Sequence, residues 1–95
     1  MPFPNQPTRA FSKDEVLALN PNQNGVYGIF NASRWIYVGR GDIRDRVLRH
    51  VGGDIPCILK SVPTGWVAEV VVGDASAREK QLIMELKPMC NEKVG

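Results

Sequence analysis

Two β-prone runs lie three residues apart, and that spacing constrains the fold more than any other feature of the chain. GVYGIF at 25–30 and RWIYVG at 34–39 are rich in the branched and aromatic side chains that fit a pleated strand. Only Asn31, Ala32 and Ser33 join them. A link that short closes a hairpin, because a parallel crossover needs a dozen residues or more. Read as a three-residue loop, it sets Phe30 opposite Arg34 and Tyr27 opposite Tyr37. Directly opposed residues share a sheet face, so two phenols would stand side by side.

The remaining signals place helices around that hairpin. Ser12-x-x-Glu15 is a capping box opening a short helix to about Leu19, and Asn20-Pro21-Asn22 stops it. Asp42 suits the N-cap of a helix over 42–51 that ends at Gly52-Gly53. Asp54 suits the cap of a second short helix, with Pro56 in its first turn. WVAEVVV at 66–72 is the strongest strand signal, and Ala75–Leu86 is an amphipathic helix with Asp74 at its N-cap and Pro88 at its end. The first eleven residues carry three prolines and no periodicity, which reads as a loose tail. The organisation is therefore a tail with a short helix over 1–22, then one domain over 23–95, of the α+β class.

Totals exclude several classes of function. Ninety-five residues support one small domain, and 43% hydrophobic content supports a modest core. No apolar run approaches the ~20 residues of a membrane span. The opening MPFPNQPTRA lacks a leader's apolar core, so an intracellular setting is expected. Two cysteines and one histidine, with no CxxC, argue against a structural zinc site and against a disulfide framework; Cys57 and Cys90 are expected as free thiols. A net charge of +2 neither demands nor forbids a nucleic acid. Its distribution says more: Arg40, Arg44, Arg46, Arg49 and His50 stand against only Asp42 and Asp45.

Three elements carry side chains suited to a phosphoester. On the last helix Ala75, Leu82, Ile83 and Leu86 form an apolar stripe with Glu79 in its middle. A carboxylate there needs a partner, either a metal ion or an arginine. On the helix over 42–51, Ile43, Val47 and Val51 form the buried face. Arg46 and His50, four apart, share one edge of it, while Arg44 and Arg49 point away toward solvent. Arg46's planar fork suits a phosphate or a carboxylate. Tyr27 and Tyr37 complete the set, as core packing or as phenols exchanging protons with water or phosphate. Nothing in this arithmetic alone separates binding from cleavage.

At this point the residues resemble the GIY-YIG nuclease family. GVY at 25–27 and YVG at 37–39 correspond to its two name-giving motifs, and IRDRVLRH carries Arg46 and His50 at the spacing seen in intron-encoded homing endonucleases. EKQLIMELKPMCN carries Glu79, Pro88 and Asn91 in the order of the family's C-terminal motif. The chain departs from the pattern in a shorter turn after YVG, in Arg40 where a lysine is frequent, and in carrying no DNA-reading domain.

The resemblance implies a three-stranded antiparallel sheet with helices on both faces, in three α/β/α layers. It implies a DNA endonuclease with one divalent cation, Mg²⁺ or Mn²⁺, held by Glu79. Arg46 would neutralise the phosphate, Tyr27 or His50 would activate water, and Tyr37 would position water or phosphate. A phenol of pKa ~10 needs a nearby cation to act as base at neutral pH, whereas an imidazole of ~6.5 does not. Gly39, Arg40, Arg44 and Arg49 are the candidate contacts to the DNA backbone, and Asn91 a structural residue near Glu79. The alternative is a nucleic-acid-binding module of the same fold that does not cut. With no targeting domain, substrate choice is expected to come from a separate protein or from a homodimer, and no membrane partner is expected.

Overall fold

The computed structural model describes residues 3–32 and 34–91. In chain order the elements are β1 (Arg9–Ala10), α1 (Lys13–Leu17), β2 (Asn24–Asn31), β3 (Arg34–Asp42), α2 (Ile43–Val51), α3 (Pro56–Lys60), β4 (Gly65–Val70), α4 (Ser76–Leu86) and a 3₁₀ turn at Met89–Asn91. The class is α+β: four antiparallel strands in the order β1-β4-β2-β3, with four helices.

Two expectations change here. The sheet has four strands rather than three, and the supposed tail supplies the fourth: Arg9 pairs with Trp66 and Ala10 with Gly65. The tail is not loose elsewhere either. Phe3 is 4% exposed, and the Gln6 side-chain amide bonds both backbone groups of Ala68, giving to its carbonyl at 2.7 Å and taking from its N–H at 3.2 Å. Proline content hid this, because prolines suit an edge segment as well as a free one.

The hairpin register also differs. Asn31 pairs with Arg34 and Phe30 with Trp35; Ile29 then pairs with Tyr37, leaving Ile36 unpaired as a bulge. Tyr27 consequently lies opposite Gly39, not Tyr37. The net slip is two residues, and with a side-chain period of two the phenols stay on one face. They are diagonal neighbours, ring centroids 6.4 Å apart. The bulge also turns Ile36 and Tyr37 to the same core, as two residues facing one must.

Alternation divides the sheet between two cores. Tyr27, Ile29, Ile36 and Trp66 pack with Val16 of α1, Ile43 and Val47 of α2 and Ile58 of α3. Val26, Val38 and Val67 pack with Ala75 and Leu82 on the α4 side, and with Phe3. Burying each of these aliphatic side chains contributes roughly 1.5–3 kcal/mol.

The caps show where local signals suffice. Ser12 Oγ accepts from Glu15 N–H, and Asp42 Oδ2 accepts from Asp45 N–H at 3.2 Å, both as expected. Asp74 instead accepts from Ser76 N–H and Oγ–H ahead of a helix that starts one residue later than expected. Asp54 caps nothing: Ile55 holds the N-cap position of α3 without a side-chain bond.

The two cysteines are a further correction. Cys57 on α3 and Cys90 in the 3₁₀ turn are disulfide-bonded, their Cα atoms 5.7 Å apart. Their separation of 33 residues gives no hint of contact; only the tertiary fold brings them together. Such bonds persist in oxidising compartments, and in a reducing cytosol the pair would stand as two thiols.

Candidate active site

α2 sets the geometry. Its Asp42 cap fixes the first turn, and Val47 and Ile43 seat one face in the core, which turns His50 inward to 1% exposure. His50 Nε2 lies 2.7 Å from the Tyr27 hydroxyl. Its Nδ1 lies 2.8 Å from Asp54 Oδ1. Asp54 is held there by the tight turn after α2, where Gly53 takes a φ of +91° and the Asp54 N–H bonds the Arg49 carbonyl at 3.3 Å. Tyr37 meets the same imidazole edge-on, with ring centroids 5.0 Å apart. The result is a row of buried Tyr27, buried His50 and partly exposed Asp54, flanked by Tyr37.

Glycines make the space. A Cβ on Gly39 would overlap the Tyr27 hydroxyl oxygen, so the missing side chain admits the end of a phenol. Gly41, with a φ of +127°, lies against the aliphatic part of Arg46, where a Cβ would be 3.2 Å from Cγ. Arg46 thus folds back toward the tyrosines. Its guanidinium bears on both Tyr27 and Tyr37, and its buried Nε makes no hydrogen bond among the described residues.

The electrostatics follow from burial. Desolvation pushes the Tyr27 phenol well above its ordinary value, and the neighbouring Tyr37 adds to this; Arg46 opposes but does not win. Tyr37 is raised for the same first reason, with Arg46 pulling down and Glu79 and Asp54 pushing up. His50 is lowered by desolvation, although Asp54 pulls upward through its hydrogen bond and charge. Near neutral pH the row is therefore a neutral phenol on a neutral imidazole. A cation beside Tyr27 was the condition for a phenolate base; Arg46 supplies the cation, and burial outweighs it.

Glu79 occupies the other end. It projects from α4 with 24% of its side chain exposed and meets Arg40 Nε at 3.0 Å. The arginine partner foreseen for an apolar-stripe carboxylate exists, but it is Arg40 on β3 rather than Arg46. Glu79 still belongs to the same neighbourhood, because its charge is felt at Tyr37.

Asn91 stands apart from Glu79 in role. Its side-chain amide takes the Val38 N–H at 2.6 Å and gives to the Val38 carbonyl at 2.9 Å. β3 is an edge strand, so Asn91 satisfies two groups that the sheet leaves open. That fixes the backbone between Tyr37 and Gly39.

The other arginines do not join the cluster. Arg49 pairs with Asp45 at 3.4 Å, both exposed. Arg44 lines a hollow of about 230 Å³ with Leu17, Asp42, Asp45 and Leu48, beside α1. A larger groove, about 420 Å³, lies against Phe3, Phe30, Trp35 and Leu86, away from the tyrosine–histidine row. Reading the sequence missed Asp54, which it spent on a helix cap. The spacing of four after His50 was a usable signal, masked by the two intervening glycines. No family model, characterised protein or solved structure matches this chain.

Proposed function

We propose that this domain is a GIY-YIG-like endonuclease of three-layer α/β/α build that hydrolyses DNA phosphodiesters with one Mg²⁺ or Mn²⁺ ion at Glu79. Arg46 carries the reading. Arg46 is partly buried and bonds the Tyr27 hydroxyl, and its buried Nε has no hydrogen-bond partner among the described residues; a guanidinium so placed beside two tyrosines suits an anion with oxygens to spare. A phosphate supplies them.

The donor set fits a largely hydrated cation. Among the described residues no three His, Cys, Asp or Glu side chains gather around one point, so Glu79 would offer one carboxylate and the phosphate the rest. When bound, the ion would polarise the phosphate and stabilise the leaving oxygen. Arg40 now neutralises Glu79 in a half-exposed pair of the kind worth about 0–1 kcal/mol. Exchange would therefore be cheap: Arg40 could turn to a phosphate oxygen, and Glu79 would then be free to hold the cation.

The chain's own residues divide the work. Water gives a proton to the Tyr27 oxygen as Tyr27 gives its own to His50, so Tyr27 and His50 act together rather than as rival bases. The hydroxide oxygen bonds to phosphorus, the bond to the leaving oxygen breaks, and that oxygen takes a proton from solvent. Arg46 offsets charge on the phosphoryl oxygens. Tyr37 orients water or phosphate.

A second reading is a binding module of the same fold without cleavage. The full burial of Tyr27 and the Arg40–Glu79 pair favour it, since neither base nor carboxylate stands open. Incubation with supercoiled plasmid and branched DNA, with Mg²⁺, with Mn²⁺ or with chelator, decides between them. Nicking that chelator abolishes is expected. Salt-sensitive retention of DNA with no cut under any metal selects the second reading. A separate targeting protein or a second copy of the chain would supply substrate choice.

A further inference from the structure

We infer that Asp54 is a positioning residue: it fixes the tautomer of His50 and thereby the direction in which the Tyr27 proton travels. The catalytic consequence rests on the endonuclease reading, but the tautomer does not.

The argument is one of donors and acceptors. Asp54 Oδ1, on a side chain 41% exposed, is 2.8 Å from His50 Nδ1. A carboxylate only accepts, so Nδ1 must carry the proton. In a neutral imidazole that leaves Nε2 bare, and Nε2 faces the Tyr27 hydroxyl at 2.7 Å. Tyr27 therefore donates to His50. Remove Asp54, and Nε2–H becomes equally open to the ring; Tyr27 would then accept from His50 and could pass no proton to it. Every titratable group facing the imidazole agrees with this assignment. Tyr27 from β2 is the neutral donor, Tyr37 from β3 is a neutral phenol packed edge-on against the ring, Asp54 from the turn is the acceptor, and Arg46 on the same helix disfavours a second ring proton. After the transfer His50 is an imidazolium lying against a carboxylate, with Tyr27 restored to a phenol by the proton from water. Protons balance, and no oxidant or reductant takes part.

The chain holds a single histidine, so its imidazole nitrogens can be read without ambiguity. Wild type, Asp54→Ala and Asp54→Asn, labelled with ¹⁵N-histidine, would be compared by NMR at pH near 8 without metal or DNA. Wild type is expected to show the proton on Nδ1. Asp54→Asn keeps an acceptor and is expected to retain that tautomer. Asp54→Ala is expected to move the proton to Nε2. A wild-type proton on Nε2, or the same tautomer in wild type and Asp54→Ala, overturns the proposal. Circular dichroism confirms that each variant is folded, and the partial exposure of Asp54 makes truncation tolerable. The second arm measures nicking. Asp54→Ala is expected to lose roughly 10²-fold in kcat, the low end of general acid–base effects, with KM unchanged because Asp54 touches no phosphate. Its kcat–pH profile should move as well, with Asp54→Asn recovering part of the rate. A kcat and pH profile equal to wild type would overturn the positioning role. If no variant, wild type included, cuts DNA while the tautomers behave as stated, the endonuclease reading fails and the assignment of Asp54 stands.

Discussion

At one end of the candidate site Tyr27 and His50 are 0% and 1% exposed and share a 2.7 Å hydrogen bond. At the other, Arg40 and Glu79 share a 3.0 Å contact with 50% and 24% of their side chains in water. The chemistry at both ends is a polar pair, but water separates their energetics. A buried pair is costly to break, because the survivor keeps its desolvation penalty and loses its partner. A solvated pair can part, because water replaces each partner. Under the proposed hydrolysis, a site that would hold a proton path still while exchanging a counter-ion has reason to put the first inside and the second outside.

The sharpest way to break that contrast is Gly39→Ala. The new Cβ meets the Tyr27 hydroxyl and ring carbon, and the strand backbone cannot retreat, so a loss near the top of the 1–3 kcal/mol range for overpacking is expected in a urea titration. Combined with Tyr27→Phe, which removes the colliding oxygen, the loss should shrink; purely additive penalties would mean the two positions do not meet. Tyr27→Phe alone comes next. It leaves His50 Nε2 buried without its donor and should destabilise by about 1–3 kcal/mol.

Titration gives a smaller, graded effect. His50 is lowered in the fold, so the unfolded chain binds the extra proton first as pH falls through ~6.5. Stability is therefore full above that value and declines below it, by at most ~1.4 kcal/mol per pH unit. Tyr27 works with the opposite sign of pH. Its fold-raised value means stability is full below ~10 and declines above it. Melting temperatures across both limbs test this, and His50→Gln should remove the acid-side contribution alone. The smallest change is expected for Glu79→Gln. A half-exposed pair predicts a shift within about 1 kcal/mol in the metal-free protein and, on the proposed endonuclease reading, loss of metal-dependent nicking. A drop of several kcal/mol would move Glu79 to the buried class and end its assignment as an exchangeable ligand.

Local rules read the long elements well. The hairpin, α2 with its Asp42 cap, β4 and α4 all follow from periodicity and caps. So did the shared face of Tyr27 and Tyr37, although through an incorrect register. The true turn is shorter by one residue, the bulge at Ile36 adds another, and parity survives the sum. What local rules missed depends on contacts distant in sequence. β1 is two residues long and exists only because β4 offers an edge. Cys57 and Cys90 meet only once α3 and the 3₁₀ turn are packed. The partner of Glu79 lies 39 residues away on strand β3, and no helix-face arithmetic chooses between Arg40 and Arg46. Asp54 was misread because a cap and a histidine partner look alike when only neighbours are considered.

The Cys57–Cys90 bond turns residues 57–90 into a covalent ring. Its most open point is the tip between β4 and α4, where Val72 is 98% exposed and Gly73 has nothing within 4 Å of a notional Cβ. Loop tips of this kind are where proteases cut. A cut there would not release a fragment. One piece would keep both tyrosines, Arg46, His50 and Asp54, the other Glu79 and Asn91, and the bond would leash them at the high effective concentration of a short tether. The domain thus carries the makings of a split protein: two halves of one site that a nick divides and only a reductant sets free.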